Sequence, residues 1–416
     1  MNLRPPLIVI AALLLALEGS GQNSSSQSSP GPNSPPKPNP EDKYVGDDAC
    51  RSCHQDTVES FHRTAHYLTS RLPDRDSILG DFRPDNNLLK TSNPDLFFRM
   101  EAKGDGFFQT AVQGMPPYIT SRTERFGLVV GSGGKGQTFL FWKRDLLFQL
   151  PVSYWKEVGW VNSPGYRDGV VYFDRPVIPR CLECHGTYFN SLAPPLNRYS
   201  RMGFVVGITC EKCHGPGRQH VQRFTSKSAD IPSDPAILNP ARFSRDRQMD
   251  LCAWCHAGHG AALLPTFSYI PGEPLDKYLE LPKPEPDAPI DVHGSQVELL
   301  KKSRCFQSSS MTCLTCHDVH ATQRDPVAFS EHCLRCHKVE SHPRMRHQIA
   351  NNCVDCHMPQ QQTNLIIFNR NDLKASPEVR NHWIKIYPEA GVSSGLGGQN
   401  GKPSSSNLMR GATAKN

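Results

Sequence analysis

The pattern Cys-x-x-Cys-His occurs seven times in 416 residues, and nothing else in the chain limits its fold as strongly. The copies are Cys50–Cys53–His54, Cys181–Cys184–His185, Cys210–Cys213–His214, Cys252–Cys255–His256, Cys313–Cys316–His317, Cys333–Cys336–His337 and Cys353–Cys356–His357. They consume 14 of the 15 cysteines, whereas residue frequencies alone give about 0.02 copies in a chain of this length. The pattern is the attachment signature of haem c: two thioethers fix the macrocycle, and the adjacent histidine ligates iron from one face. Zinc sites and redox disulfides also use Cys-x-x-Cys, but neither explains a histidine after every pair. The expected cofactor is therefore seven covalently bound haems c, with the seven motif histidines as proximal ligands.

That expectation shapes the rest of the reading. Apolar residues make up 37% of the chain, and large covalently held macrocycles can supply the missing core, so the apoprotein is expected to fold poorly. The formal charge of +6 falls to about −1 once fourteen propionates and seven ferric cores are counted, so it does not signal nucleic-acid binding. Part of the Arg and Lys excess is expected to pair with propionates.

Haem c attachment takes place outside the cytoplasm, and the N-terminus agrees. Residues 1–21 carry Arg4, an apolar run from Leu7 to Leu17, then small and polar residues, the pattern of a signal peptide. The run is short for a membrane span, although an uncleaved anchor is the alternative, and no cysteine follows it for acylation. After cleavage no transmembrane segment is expected. Residues 22–43 are a Ser/Pro-rich linker, 44–389 the heptahaem body and 390–416 a Gly/Ser-rich disordered tail.

Between the first and second motifs lies the longest stretch without an attachment site. Residues 95–114 and 125–142 each read as two apolar runs around a glycine-containing turn, and "DLLFQLPVSYW" and "GVVYFDRPVI" read as further strands. A small antiparallel β insert over about 95–178 is expected. The "GSGGKG" at 131–136 lacks the Ser or Thr and the helix of a phosphate loop, so it reads as a hairpin turn. Residues 281–290 are Pro-rich and acidic, a loop. Residues 55–71 read as a helix with Val58, Phe61, Ala65 and Leu68 on one face. The rest is expected to be mainly short α-helices and irregular loops wrapped around stacked haems.

Ten histidines lie outside the motifs, enough for seven bis-histidine sites with three to spare. Trans ligands reach iron from opposite sides at about 2 Å, by analogy with other imidazole–metal bonds. Residues three apart on a helix have Cβ atoms about 5–6 Å apart. In "TCLTCHDVH", a helical His320 therefore cannot share an iron with His317, and would ligate a neighbouring haem. His259 follows His256 in the same way, and His220 follows His214 by six residues. The candidate distal ligands are His66, His220, His259, His293, His320, His342 and His347. His62, His332 and His382 rank lower, and Met345 and Met358 are poor substitutes. Cys305, the unmatched cysteine, reads as a buried thiol, with pairing to another chain as the alternative.

The residues carry a resemblance. "YVGDDACRSCH" followed by "FHRTAH" resembles the opening of exported multihaem cytochromes related to the tetrahaem cytochrome of ammonia oxidisers, hydroxylamine oxidoreductase and pentahaem nitrite reductase. In that superfamily an aromatic residue and a Ser/Thr-x-His follow the motif, which maps onto Phe61 and His66. "LPVSYW", "CHGPGRQH", "PGEPLDKYL", "DVHGSQ", "MTCLTCHDVH" and "CVDCHMP" look like a subgroup often joined to tetratricopeptide repeats. The likeness covers roughly residues 44–360 and implies haem-associated roles for His220, His293 and His320. The chain has no 34-residue repeat and no Cys-x-x-Cys-Lys, so the lysine-ligated catalytic haem of the nitrite reductases has no counterpart. The expectation is a periplasmic or cell-surface bacterial protein that passes electrons through stacked bis-histidine haems. Its partners would be other cytochromes or quinol-linked reductases, not nucleic acid. The alternative is a redox enzyme acting on a small nitrogen or sulfur compound at one open-site haem.

Overall fold

The computed structural model describes residues 44–225, 237–283, 290–292, 294–342, 352–371 and 373–388. The expected signal peptide, linker and tail, together with His293, Met345 and His347, lie outside the described residues, as does most of the 281–290 loop.

The chain enters through helix α1 (Asp47–Phe61), which carries the first motif. Val58 and Phe61 are buried as the helical spacing predicts, but the helix stops at Phe61 instead of running to residue 71. The Thr64 hydroxyl donates to the Phe61 carbonyl at 2.7 Å, an alternative to the helical ladder that threonine readily offers. Ala65 is consequently exposed.

A β body follows, and it is larger than the small insert expected. Strands β1 (Ser70–Arg71), β2 (Leu88–Lys90), β3 (Leu96–Lys103), β4 (Gly106–Gln113), β5 (Thr120–Arg125), β6 (Leu128–Val130), β7 (Gly136–Lys143), β8 (Leu146–Gln149), β9 (Val152–Trp155) and β10 (Gly159–Asn162) run in succession. β2 to β5 form an antiparallel meander. β1, β6, β7, β9 and β10 form a second sheet, with β8 paired to β7. The 131–136 segment is the β6–β7 turn, as its glycines predict. Residues 169–178 are not a strand: although Phe173 packs into the core, their ladder contact with the sheet is a single Phe148–Pro176 bridge, and proline can donate no ladder hydrogen bond.

Period-two burial explains how this body holds the rest. Along β7, Phe139 and Phe141 face a core shared with Leu96, Phe98 and Met100 of β3, while Leu140 faces the other way. The two sheets are tied by a buried amide. Gln109 donates to the Val152 carbonyl at 3.2 Å and accepts from its N–H at 2.9 Å. The opposite face of β7 packs, through Leu140, Leu128 and Leu147, against Leu182 of helix α2 (Pro179–His185), which is the second motif. The β body thus serves as a wall on which an attachment site is mounted.

Beyond it the structure is short helices and loops, as expected. β11 (Gly186–Tyr188) pairs with β12 (Val205–Val206), and α3 (Cys210–His214), α4 (Arg218–Thr225) and α5 (Arg245–His256) follow. α3 ends at Gly215, whose φ of 79° suits glycine at a helix C-terminus. β13 (Ala261–Ala262) pairs with β14 (Leu279–Glu280). Helix α6 (Gln296–Lys301) packs on α5 around Trp254, Val297 and Leu300. α7 (Arg304–Gln307), α8 (Pro326–Leu334) and the helical turn Cys353–His357 lead to β15 (Gln360–Gln362), β16 (Phe368–Arg370), β17 (Leu373–Ala375) and β18 (Glu378–Arg380). β16 returns to pair with β10, so the C-terminal region closes the large sheet. No helix among the described residues is long and apolar enough to cross a membrane.

Candidate haem-binding site

Five of the seven motifs lie on α-helices, the fifth forms a 3-10 turn over Cys313–Thr315, and the sixth begins at the end of α8. The informative geometry is which histidine faces which. Two imidazoles on opposite sides of one iron, each bonded at about 2 Å, have ring centroids about 6.3 Å apart. Four histidine pairs show this spacing. His66 and His256 are 6.1 Å apart, His214 and His320 6.1 Å, His317 and His382 6.3 Å, and His342 and His357 6.2 Å. Each pair joins one motif histidine to one from outside the motifs.

The hydrogen bonds fit the same chemistry. An iron-ligating imidazole fixes its orientation by donating its other N–H. Nδ1 of His214 lies 2.7 Å from the Leu238 carbonyl, that of His357 2.9 Å from the Lys385 carbonyl, and that of His382 3.0 Å from the Arg380 carbonyl. Each Nε2 is left for a metal. Desolvation by the surrounding protein pushes His256 and His382 down to about 4, and lowers His66, His214 and His317. Neutral imidazole is the form that binds iron, and a lowered pKa favours that form.

Local structure explains why these residues meet. His320 lies in a turn, not a helix. Asp318 accepts from the His320 N–H at 2.9 Å, Gln323 accepts from the Asp318 N–H at 2.7 Å, and Thr322 donates to the Arg63 carbonyl at 2.9 Å. The turn is thereby held beside α1 with His320 toward His214. The expectation that His320 serves a haem other than that of His317 is compatible with this placement, but for a different local reason from helical spacing.

His382, ranked low from the sequence, is placed against His317. Buried Ser303 donates to the His382 carbonyl at 3.3 Å and accepts from the Ile384 N–H at 2.8 Å. Asn381 donates to Gln361 at 2.9 Å. These bonds lay the 378–387 strap across the C-terminal motifs, which sets His382 against His317. The available signal was the Asn-His-Trp-Ile run, which sets two apolar side chains directly after a histidine near the end of the body.

The other candidates divide. His220 lies against Phe224 at 4.9 Å on α4. His259 is exposed, with no described aromatic or histidine ring against it. No described histidine faces His54 or His337 at the four-pair spacing. His62 is structural: its ring nitrogens meet Asp47 at 3.0 Å and Arg51 at 3.3 Å, and it stacks on Tyr67 at 3.8 Å.

The cysteines reveal which motifs adjoin. The sulfurs of Cys50 and Cys210, with an Asp47 oxygen, lie within 4.8 Å of one another. That trio could in principle hold a metal, but both sulfurs belong to attachment motifs. The side chains of Cys184 and Cys255, of Cys252 and Cys313, and of Cys333 and Cys353 also interact directly. Contact with Cys255 draws the Cys184 thiol down to about 7 and pushes Cys255 up. Charged groups are buried between the motifs. Arg180 and Glu183 pair at 2.9 Å with both side chains under a tenth exposed, and Arg180 also donates to the Trp254 carbonyl inside the fourth motif. Lys212 is buried, with its ammonium 3.8 Å over Trp254 and 5.0 Å from Phe267. Glu211 accepts from the N–H groups of Val45, Gly46 and Gly217, which pins the entry to α1 onto the third motif.

Comparisons with known proteins find likeness to c-type cytochromes. The family described as "Cytochrome c554 and c-prime" matches residues 172–215, which contain the second and third motifs. The high-molecular-weight cytochrome c of Nitratidesulfovibrio vulgaris is 25% identical over 174 residues, 40% of this chain. The match spans 31% of that relative, so the chain corresponds to about a third of its length. Among solved structures, the outer cell wall cytochrome OcwA aligns with a TM-score of 0.50 at 19% identity, covering 85% of this chain and 82% of that one, a likeness of fold.

Proposed function

Taking the chain as a multihaem c-type cytochrome, we propose that it holds seven haems c and carries electrons through them outside the bacterial cytoplasm. The observation that carries the reading is the recurrence of one histidine spacing, 6.1–6.3 Å, at four motifs. Bound haem c supplies the one-electron ferric–ferrous couple.

The chain's own residues do the rest. Cys50 and Cys53, Cys181 and Cys184, Cys210 and Cys213, Cys252 and Cys255, Cys313 and Cys316, Cys333 and Cys336, and Cys353 and Cys356 are the thioether donors. His54, His185, His214, His256, His317, His337 and His357 are the proximal ligands. His320, His66, His382 and His342 complete the third, fourth, fifth and seventh sites in that order. The cysteine contacts bring the first motif to the third, the second to the fourth, the fourth to the fifth and the sixth to the seventh. Lys212 of the third motif lies over Trp254 of the fourth, and His317 of the fifth meets Phe329 of α8, which leads into the sixth, so every motif has a neighbour in one connected set. Short separations between redox groups are what rapid electron exchange requires. The partners that fit are redox proteins, other cytochromes or quinol-linked reductases.

The test is the ferric EPR spectrum together with carbon monoxide binding to the ferrous protein. A carrier gives low-spin ferric haems only and leaves carbon monoxide unbound. A high-spin, carbon monoxide-binding haem would overturn the pure-carrier reading and favour a small-molecule redox enzyme.

A further inference from the structure

Two consecutive hydroxyl residues grip the histidine of the second motif. The Oγ1 of Thr69 lies 3.0 Å from Nδ1 of His185. The Ser70 hydroxyl donates to the His185 carbonyl and accepts from the Gly207 N–H at 2.8 Å. Thr69 therefore holds the ring and Ser70 the backbone of the same residue.

Both hydroxyls are themselves fixed. The Thr69 N–H donates to the His66 carbonyl at 3.2 Å, and the Thr69 carbonyl accepts from the Gly131 N–H at 2.7 Å. Ser70 is buried and pairs with Val130 where β1 meets β6. The Ile208 N–H donates to the His66 carbonyl at 3.1 Å. Gly207 permits this close approach: a Cβ there would lie 2.3 Å from the Tyr67 carbonyl oxygen, and its φ of 67° suits glycine.

The ring atom involved matches the other sites. His214, His357 and His382 also hydrogen-bond through Nδ1, each to a backbone carbonyl. An imidazole bound to iron through Nε2 carries its proton on Nδ1, so at His185 the Thr69 oxygen is the acceptor. Here the acceptor is a side chain, which a substitution can remove. It also sits on the segment that carries His66, whose ring is 6.1 Å from that of His256. The segment 66–70 thus touches both the second and the fourth attachment sites.

We propose that Thr69 is the positioning residue of the second haem site: its hydroxyl oxygen takes the Nδ1–H of His185, fixes the plane of that ring and raises its basicity as an iron ligand. The inference rests on the assignment of His185 as a proximal ligand made above. A more basic imidazole stabilises ferric iron, so this hydrogen bond holds the potential of one haem down.

Redox titration of the haem-loaded protein, followed in the visible spectrum, tests this. Thr69→Val keeps the shape and removes the acceptor, and should raise the midpoint potential of one haem while the rest stay unchanged and no haem is lost. Thr69→Ser keeps the hydroxyl and should retain the wild-type potentials. An unchanged Thr69→Val titration overturns the proposal. So does a Thr69→Ser shift as large as that of Thr69→Val, which would make the methyl group the contact that matters. If Thr69→Val fails to mature, crystals of the wild-type holoprotein decide. Thr69 Oγ1 within hydrogen-bond reach of His185 Nδ1, with Nε2 on iron, supports the role; a ring turned away from Thr69 overturns it. Peptide mass spectrometry separates the two levels of inference. A peptide containing Cys181 and Cys184 without covalent haem means that the reading of the second motif has failed. A haem-bearing peptide with an unchanged Thr69→Val titration means that only the role of Thr69 has failed.

Discussion

Arg180 offers the sharpest test of how the motifs are clamped together. It sits at the start of α2, pairs with Glu183 at 2.9 Å and donates to the Trp254 carbonyl, so one guanidinium joins the second motif to the fourth. Both side chains are about 6–7% exposed. Arg180→Met strands the Glu183 carboxylate, whose remaining hydrogen bond is from the Phe267 N–H at 2.6 Å. Breaking a buried pair from one side costs about 3–5 kcal/mol, mostly the penalty of the uncompensated charge. Arg180→Met/Glu183→Gln removes that charge and leaves a cost of about 1–2 kcal/mol from lost hydrogen bonds. The double variant should therefore be more stable than the single, by about 2–3 kcal/mol. Urea unfolding of the haem-loaded protein, followed by far-ultraviolet circular dichroism, measures all three. A double variant no more stable than Arg180→Met would refute the reasoning, as would a single variant within about 1 kcal/mol of wild type.

Three further outcomes follow from the same contacts. His382→Ala should turn one low-spin haem, that of Cys313 and Cys316, into a high-spin, carbon monoxide-binding one, while His259→Ala leaves the visible and EPR spectra unchanged. Lys212→Met removes a buried cation beside the second, third and fourth motifs. At an assumed separation of about 10 Å and an effective dielectric of about 20, this is worth about 1.7 kcal/mol, or roughly 70 mV, and voltammetry should show neighbouring potentials falling. Gln109→Leu orphans the Val152 N–H and carbonyl between the two sheets, and should cost about 2–4 kcal/mol in urea unfolding without altering the haem spectra.

What could be read in advance divides along physical lines. The attachment motifs were legible because the chemistry demands contiguous residues: Cys313, Cys316 and His317 must sit on one turn whatever surrounds them. The β6–β7 hairpin was legible because its glycines and flanking apolar runs act locally. The facing histidines were less so. His66 and His256 are 190 residues apart, and the β body and α5 decide their meeting. His382 looked weak because its placement depends on Ser303 and Gln361, distant residues that bond its flanks. The extent of the β body was underestimated for the same reason. β16 is a three-residue strand that pairs along its length with β17 and joins β10 at one residue, and nothing in "FNR" alone marks it. Conversely, Pro176 and the positive φ of Gly169 broke a stretch whose valines and aromatics suggested a strand.

The most direct measurement is the position of each iron in crystals of the haem-loaded protein, located by anomalous X-ray scattering. Irons are predicted midway between His214 and His320, His66 and His256, His317 and His382, and His342 and His357. An iron bound by both His317 and His320, or a motif histidine of these four facing a different partner, would contradict the connected bis-histidine arrangement.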